Sequence, residues 1–314
     1  MSLGRKLAPE TLEQYTLNNL NHEKNPVQMG YYGTSCFTIS YKGSTYLADP
    51  FFSNPNFFDL MVGKYKSEDY LIEPFLKQIP HISMVSISHG HYDHCLNLLS
   101  FKEKYNKNTA FIASESVFNE LNSWFKDTPQ NNIHALTKDE IPKWITSQDG
   151  VFRVLPIRSI HQAHLGKNIR LFAGDYQLPT AKIPKTVWQW KEGETYSYLV
   201  DVLDQGQVIK RIFIVAGELP KSSLEYVAQI TRNQPINFML TPFWHKEKSG
   251  NAFITAYNYL HPQKVIFHHW NDFFRSPEKS LKVISYSDLD SELKAYRQEN
   301  LPIWILSPFS FTNI

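Results

Sequence analysis

Ile82-Ser83-Met84-Val85-Ser86-Ile87-Ser88 runs without a break into His89-Gly90-His91-Tyr92-Asp93-His94. The first seven residues form an apolar run that reads as a buried strand. The next six place three imidazoles and one carboxylate at the C-terminal mouth of that strand. Imidazoles desolvated beside one another are unfavourable, whereas a bound divalent ion stabilises neutral imidazole and carboxylate ligands together. Positions i and i+2 of an extended segment face the same way, so His89 and His91 are expected to share one ion while Asp93 and His94 turn toward a second. A solvent-exposed His-rich turn is the alternative, and the apolar strand immediately ahead argues against it.

Upstream, Val27 to Asp49 reads as three short strands, VQMGYY, CFTISY and STYLA, separated by Gly33-Thr34-Ser35 and Lys42-Gly43 and ending in Asp49-Pro50. Downstream, LNLLSFKEKY has a helical pattern, and strand TAFIA, helix SESVFNELNSWF and strand NIHAL follow. A second β-rich block from Lys143 to Arg158 leads into His161. After a long Pro-punctuated stretch from His164 to Glu194, the pattern resumes with strands TYSYLVDV and RIFIVAG, a helix over Ser222 to Thr231, strand INFML, a helix around Ala252 to Leu260 and strand KVIFHH. This order predicts two similar halves of strands and helices that face each other.

The chain has 314 residues, of which 42% are hydrophobic and 20% charged, so a large core is available. Its 32 basic and 30 acidic residues leave a formal charge of only +2, which disfavours a nucleic-acid partner. Cys36 and Cys95 make neither a disulfide framework nor a CxxC pair. No run approaches the roughly 18 apolar residues of a membrane span. The opening Met1 to Lys6 reads as a cloning remnant ahead of a mature N-terminus, which leaves cytoplasm and periplasm both open as compartments.

The HxHxDH run after a β-rich first part resembles the metallo-β-lactamase superfamily. That resemblance extends from about Gln28 to Phe274 and implies a four-layer αββα sandwich with a metal site at one edge of the sheets. On this view residues 1–26 are a lead-in, and residues 27–314 form one domain with an inserted loop at about 165–192. GTSCFTISYKGSTYLADPFF, WKEGETYSYLVD and HHWNDFF are similar to bacterial metal-dependent hydrolases related to the ascorbate-phosphate lactonase and N-acyl-phosphatidylethanolamine phospholipase D branches. The resemblance implies a third His after the strand that opens the later β block; His161 directly follows that strand, and His164 is the alternative. It also implies a bridging Asp after a Gly. Glu218 in Gly217-Glu218 is preferred over Asp175 in Gly174-Asp175, because a stronger strand precedes it. The final ligand implied is His269, with His268 on the opposite face of its strand, packed or hydrogen-bonded behind the site. Asp49 is expected beneath the metals, fixing ligand tautomers.

These expectations add up to a hydrolase with one or two Zn ions, Mn or Fe also suiting the donors, in which a metal-activated water attacks an ester, lactone, amide or phosphodiester bond. Asp93 and His94 belong to the catalytic group. No GxSxG elbow or Walker loop offers a different chemistry. Trp188, Trp190 and Trp244 fall in loops expected to wall the cleft, which suits a small-molecule or lipid-like substrate with an apolar portion. Two other readings use the same residues: a mononuclear iron oxygenase on this scaffold, and a degenerate metal-binding protein without turnover.

Overall fold

A computed structural model of the chain describes residues 5–6, 8–17, 26–138, 142–162, 171–243, 252–285 and 288–314. Two seven-stranded sheets form its centre. The first runs in the order Ser310–Asn313, Gln28–Gly33, Cys36–Tyr41, Ser44–Ala48, His81–Ser86, Ala110–Ser114, Ile133–Leu136. The second runs in the order Ile303–Ile305, Lys264–His268, Phe238–Pro242, Gln207–Ile214, Thr195–Asp204, Phe152–Ser159, Ile145–Thr146. Each sheet opens with an antiparallel meander and continues in parallel strands. The two-halves expectation thus holds at the level of strand pairing.

The inner faces of both sheets share one core, in which Met29, Phe37, Ile39, Tyr46, Met84 and Ile112 pack opposite Phe152, Val154, Tyr198, Val200, Ile212 and Leu240. On the outer face of the second sheet lie the helices Lys221–Thr231, Ala252–Leu260 and Leu289–Gln298, which bury Leu224, Val227, Phe253, Ala256 and Leu293. The outer face of the first sheet is covered through Val117, Phe118, Phe101, Phe125 and Leu60. Helices outside and sheets inside make the expected αββα sandwich. Among the described residues, no helix is long and apolar enough to cross a membrane.

Two differences from the sequence expectations stand out. The segment after His94 is one α-turn, Tyr92–Cys95, followed by a 3-10 stretch, Leu98–Lys104, in place of a continuous helix. Asn97 explains the break: its Oδ1 accepts from the backbone N–H groups of Phe52 and Ser53, and its own N–H donates to the Pro50 carbonyl at 3.0 Å. Such side-chain to backbone bonds compete with helix continuation. In addition, Ile303–Ile305 and Ser310–Asn313 are strands that no sequence expectation covered, and Ser310–Asn313 crosses over to pair antiparallel with Gln28–Gly33 in the first sheet.

Strands of both sheets end at the same rim. The parallel strands His81–Ser86 and Lys264–His268 deliver the residues from Ser88 to His94 and His269, and the antiparallel strand Phe152–Ser159 delivers His161. The carboxyl ends of parallel strands are the usual ligand edge of α/β sheets.

Candidate metal centre

The donors fall into two clusters. In the first, ligand atoms of His89, His91 and His161 all lie within 4.8 Å of one another. His89 Nε2 is 3.1 Å from His91 Nδ1, and the His161 ring centre stands 4.6 and 4.8 Å from those of His89 and His91. Burial, together with the surrounding imidazoles, pulls the His89 pKa well down, which favours the neutral imidazole that a cation requires. Nδ1 of His161 is 2.7 Å from the Gln162 carbonyl oxygen; donating there leaves Nε2 for an ion.

Gly90 sits between His89 and His91 because nothing larger fits. A Cβ at this position would stand 2.2 Å from the Lys191 carbonyl oxygen and 2.4 Å from Glu120 Oε2. The Gly90 N–H also donates to the Glu192 carbonyl at 2.9 Å, and the Lys191 N–H donates to Glu120 Oε1 at 2.9 Å. Burial pushes the Glu120 carboxyl up to about 9. Gly90→Ala is therefore expected to force the ligand loop off the 191–192 backbone. Overpacking of this kind costs about 1–3 kcal/mol, and thermal melting together with metal content of the purified variant reads it; an unchanged melting temperature and full metal content would contradict the clamp.

The second cluster is Asp93, His94 and His269, again with ligand atoms within 4.8 Å of one another. Asp93 Oδ2 is 3.6 Å from His94 Nε2 and 3.3 Å from His269 Nε2. Burial works against the charged form of Asp93, but His94 and His269 outweigh it and hold the carboxyl well below its usual range. His269 has a left-handed backbone, φ 58°, and its N–H donates to the Thr34 carbonyl at 2.7 Å. The rings of His89 and His94 are only 3.9 Å apart, so the two clusters are adjacent.

Asp49 ties both together from below. Its Oδ1 accepts from the Ser88 N–H at 2.6 Å, and its Oδ2 accepts from the Ser88 hydroxyl and pairs with His94 Nδ1, each at 2.8 Å. Although burial opposes it, Asp49 and Asp93 raise the His94 pKa. Ser88, which sequence reasoning passed over, lies with its Oγ 3.0 Å from His89 Nδ1 and 3.1 Å from His94 Nδ1. His268 turns away from both clusters. Its Nδ1 is 3.1 Å from Ser35 Oγ and its Nε2 3.2 Å from the Val215 carbonyl, and burial takes its pKa down to about 3.

Other expected residues are placed differently. Glu218 is exposed and joins neither cluster among the described residues. The reason is its backbone: Glu218 and Ile160 form an antiparallel bridge with both N–H···O bonds at 2.8 Å. Directly paired residues share a face, and Ile160, 48% exposed, marks that face as the solvent side. Asp175 is likewise an exposed loop residue. Trp190 is not a cleft residue: it is fully buried in the outer core of the first sheet, with its indole N–H donating to the Tyr65 hydroxyl at 3.0 Å. Trp188 is 53% exposed, packs on Phe172 at 5.4 Å, and Phe172 in turn stands 6.2 Å from the His91 ring. His164 and Trp244 lie outside the described residues. Cys95 is buried with a raised pKa, first from burial and then from Glu120, and its thiol donates to the His91 carbonyl. A residue that sequence reasoning missed is Glu192, which is buried with Oε2 4.0 Å from His161 Nδ1. A lone Glu ahead of a strand carries no local signal.

The pattern of the beta-lactamase superfamily domain matches residues 44–207, just over half of the 314. The chain belongs to the beta-lactamase superfamily. Among solved structures it is similar to Igni18, a metallo hydrolase from the hyperthermophilic archaeon Ignicoccus hospitalis, over 92% of this chain and 98% of that one, with 16% identity and a TM-score of 0.55. A possible metal-dependent hydrolase from Veillonella parvula matches over 92% and 100% of the two chains, with 12% identity and a TM-score of 0.56. A variant of the CmlA β-hydroxylase matches over 94% of this chain and 55% of its own, with 12% identity and a TM-score of 0.53. At these identities the likeness is one of fold. No curated protein matches the sequence. Superfamily membership and the two His-rich clusters together support a metal-binding site.

Proposed function

We propose that this superfamily member is a metal-dependent hydrolase in which His89, His91 and His161 hold one divalent ion and Asp93, His94 and His269 hold a second. The observation that carries the reading is the convergence of two three-donor sets at one strand rim, each with its ligand atoms within 4.8 Å. The donor chemistry fits: neutral imidazoles and a carboxylate suit zinc, and also iron or manganese. A divalent ion bound there supplies a nucleophilic water at neutral pH and polarises the scissile oxygen. Asp93 Oδ2, within 3.6 Å of both His94 and His269, would stay ionised, help hold the second ion and accept a hydrogen bond that orients the attacking water. Asp49 and Ser88 keep His89 and His94 in fixed tautomers.

Zinc titration of metal-free protein tests the reading. Two equivalents of unequal affinity are expected, because one set carries a carboxylate and the other does not. A single equivalent would remove the dinuclear version. Turnover on a panel of esters, lactones, amides and phosphodiesters then distinguishes a hydrolase from a binding protein. The likeness to a β-hydroxylase carries a second reading, an iron oxygenase; iron in protein expressed without metal supplementation, with dioxygen uptake, would favour it.

On the substrate side, Phe172 and Trp188 form an apolar wall beside His91, which favours substrates with an apolar portion such as acylated or lipid-like esters and phosphodiesters. Trp188→Ala is expected to raise KM for acylated substrates about tenfold or less, the scale of one lost apolar contact surface, with metal content unchanged. Equal KM values on acylated and short substrates for both proteins would remove the apolar preference.

A further inference from the structure

We propose that Glu192, and not Glu218, is the carboxylate that serves the first cluster, as a positioning residue for His161. Three facts place it there. Its side chain is buried and reaches to 4.0 Å from His161 Nδ1. Its backbone is strapped on both sides: the carbonyl accepts from Gly90 of the ligand loop at 2.9 Å, and the N–H donates to the Phe172 carbonyl at 3.1 Å. And the first cluster is made of three imidazoles, while the carboxylate of the second cluster, Asp93, contacts His94 and His269.

The physical role follows from charge and orientation. The Gln162 carbonyl takes the Nδ1 proton of His161 and holds the ring, and the Glu192 carboxylate 4.0 Å from that nitrogen adds a negative charge that makes the other nitrogen a better donor to a cation. His161 directs Nδ1 toward the Gln162 carbonyl and Glu192, which turns Nε2 to the cluster. A divalent ion among three neutral ligands is in turn a favourable counter-charge for a buried carboxylate. Glu192 acts through His161 and is not required to touch the substrate. Because Gly90 and Glu192 share a hydrogen bond, the same residue also fixes the distance between the His89-Gly90-His91 loop and the third ligand.

This inference rests on the metal reading above, and the test separates the two. Zn2+ is titrated into metal-free wild type, Glu192→Gln, Glu192→Asp and Glu218→Gln against a chromophoric competitor, with Co2+ absorption spectra as a second readout. If the wild type binds no zinc, the metal reading fails. If it binds, Glu192→Gln is expected to weaken one site by about 10- to 100-fold, the usual effect of losing such a partner, to leave the other site unchanged, and to shift the Co2+ spectrum of the weakened site. Glu218→Gln is expected to match the wild type, and Glu192→Asp, which keeps the charge, to fall between. Wild-type affinity at both sites in Glu192→Gln, equal weakening of both, or weakening by Glu218→Gln alone would overturn the proposal. Should Glu192→Gln fail to fold, Glu192→Asp decides: selective weakening of one site supports the assignment and unchanged affinities overturn it.

Discussion

His91→Ala is expected to leave purified protein with no more than one metal equivalent and with turnover at the background level. His91 is the middle donor of the first cluster, 3.1 Å from His89 Nε2 and with its ring 4.8 Å from that of His161. Losing a partner that merely supports a ligand typically weakens metal binding about 10- to 100-fold, so losing a direct ligand is expected to weaken it more than about a hundredfold. The side chain is not needed for the fold, since the core of the strand it follows is built by Ile82, Met84 and Val85. A folded variant lacking one metal is therefore the expected product, and elemental analysis with circular dichroism reads both halves of the claim. Wild-type metal content in a folded His91→Ala protein would contradict the ligand assignment.

The second large effect is expected at Asp49. Asp49→Ala removes the acceptor for the Ser88 N–H, the Ser88 hydroxyl and His94 Nδ1 in a site that is 3% exposed. Breaking a buried charged pair while leaving its partners in place costs about 3–5 kcal/mol, and stranded donors contribute to that cost. Denaturant melts of the metal-free proteins measure it. The pH dependence has a definite sign. His94 has a raised pKa in the folded state, so its stabilising contribution is complete below its ordinary value and is lost as the pH climbs through the raised one. Metal-free wild type is expected to lose that increment on going from acid to alkaline conditions, and Asp49→Asn is expected to lack it. Equal stability of Asp49→Ala and wild type would show that Asp49 is only a turn residue.

The site was legible in the sequence to the extent that its residues are local. His89, His91, Asp93 and His94 sit within six positions, and the strand that carries them is marked by its apolar run. His269 was separated from His268 by strand alternation, and the chain puts one beside Asp93 and the other against Val215. What the sequence could not convey is pairing. Glu218 matched a motif position, yet its bridge to Ile160 turns the side chain to solvent. Trp190 and Trp188 are two residues apart in a loop without periodicity, so nothing local tells that one is core and the other rim. The broken helix after Cys95 follows from Asn97 reaching back to Phe52 and Ser53, a contact set by the preceding loop and invisible in a helical pattern.

The strand Ser310–Asn313, seated against Gln28–Gly33, sets an order on assembly during synthesis. Its register joins Ser310 to Tyr31 and Asn313 to Gln28, among the most distant pairings the chain contains. Until residues 310–313 leave the ribosome, Gln28–Gly33 carries an open row of N–H and C=O groups on one side, the kind of edge to which a second nascent chain can add. Closing so long a loop comes late and slowly. The first sheet thus waits, unshielded, for the second to be made, and yield of native protein is expected to depend on chaperones that cover this edge more than on the stability of the finished sandwich.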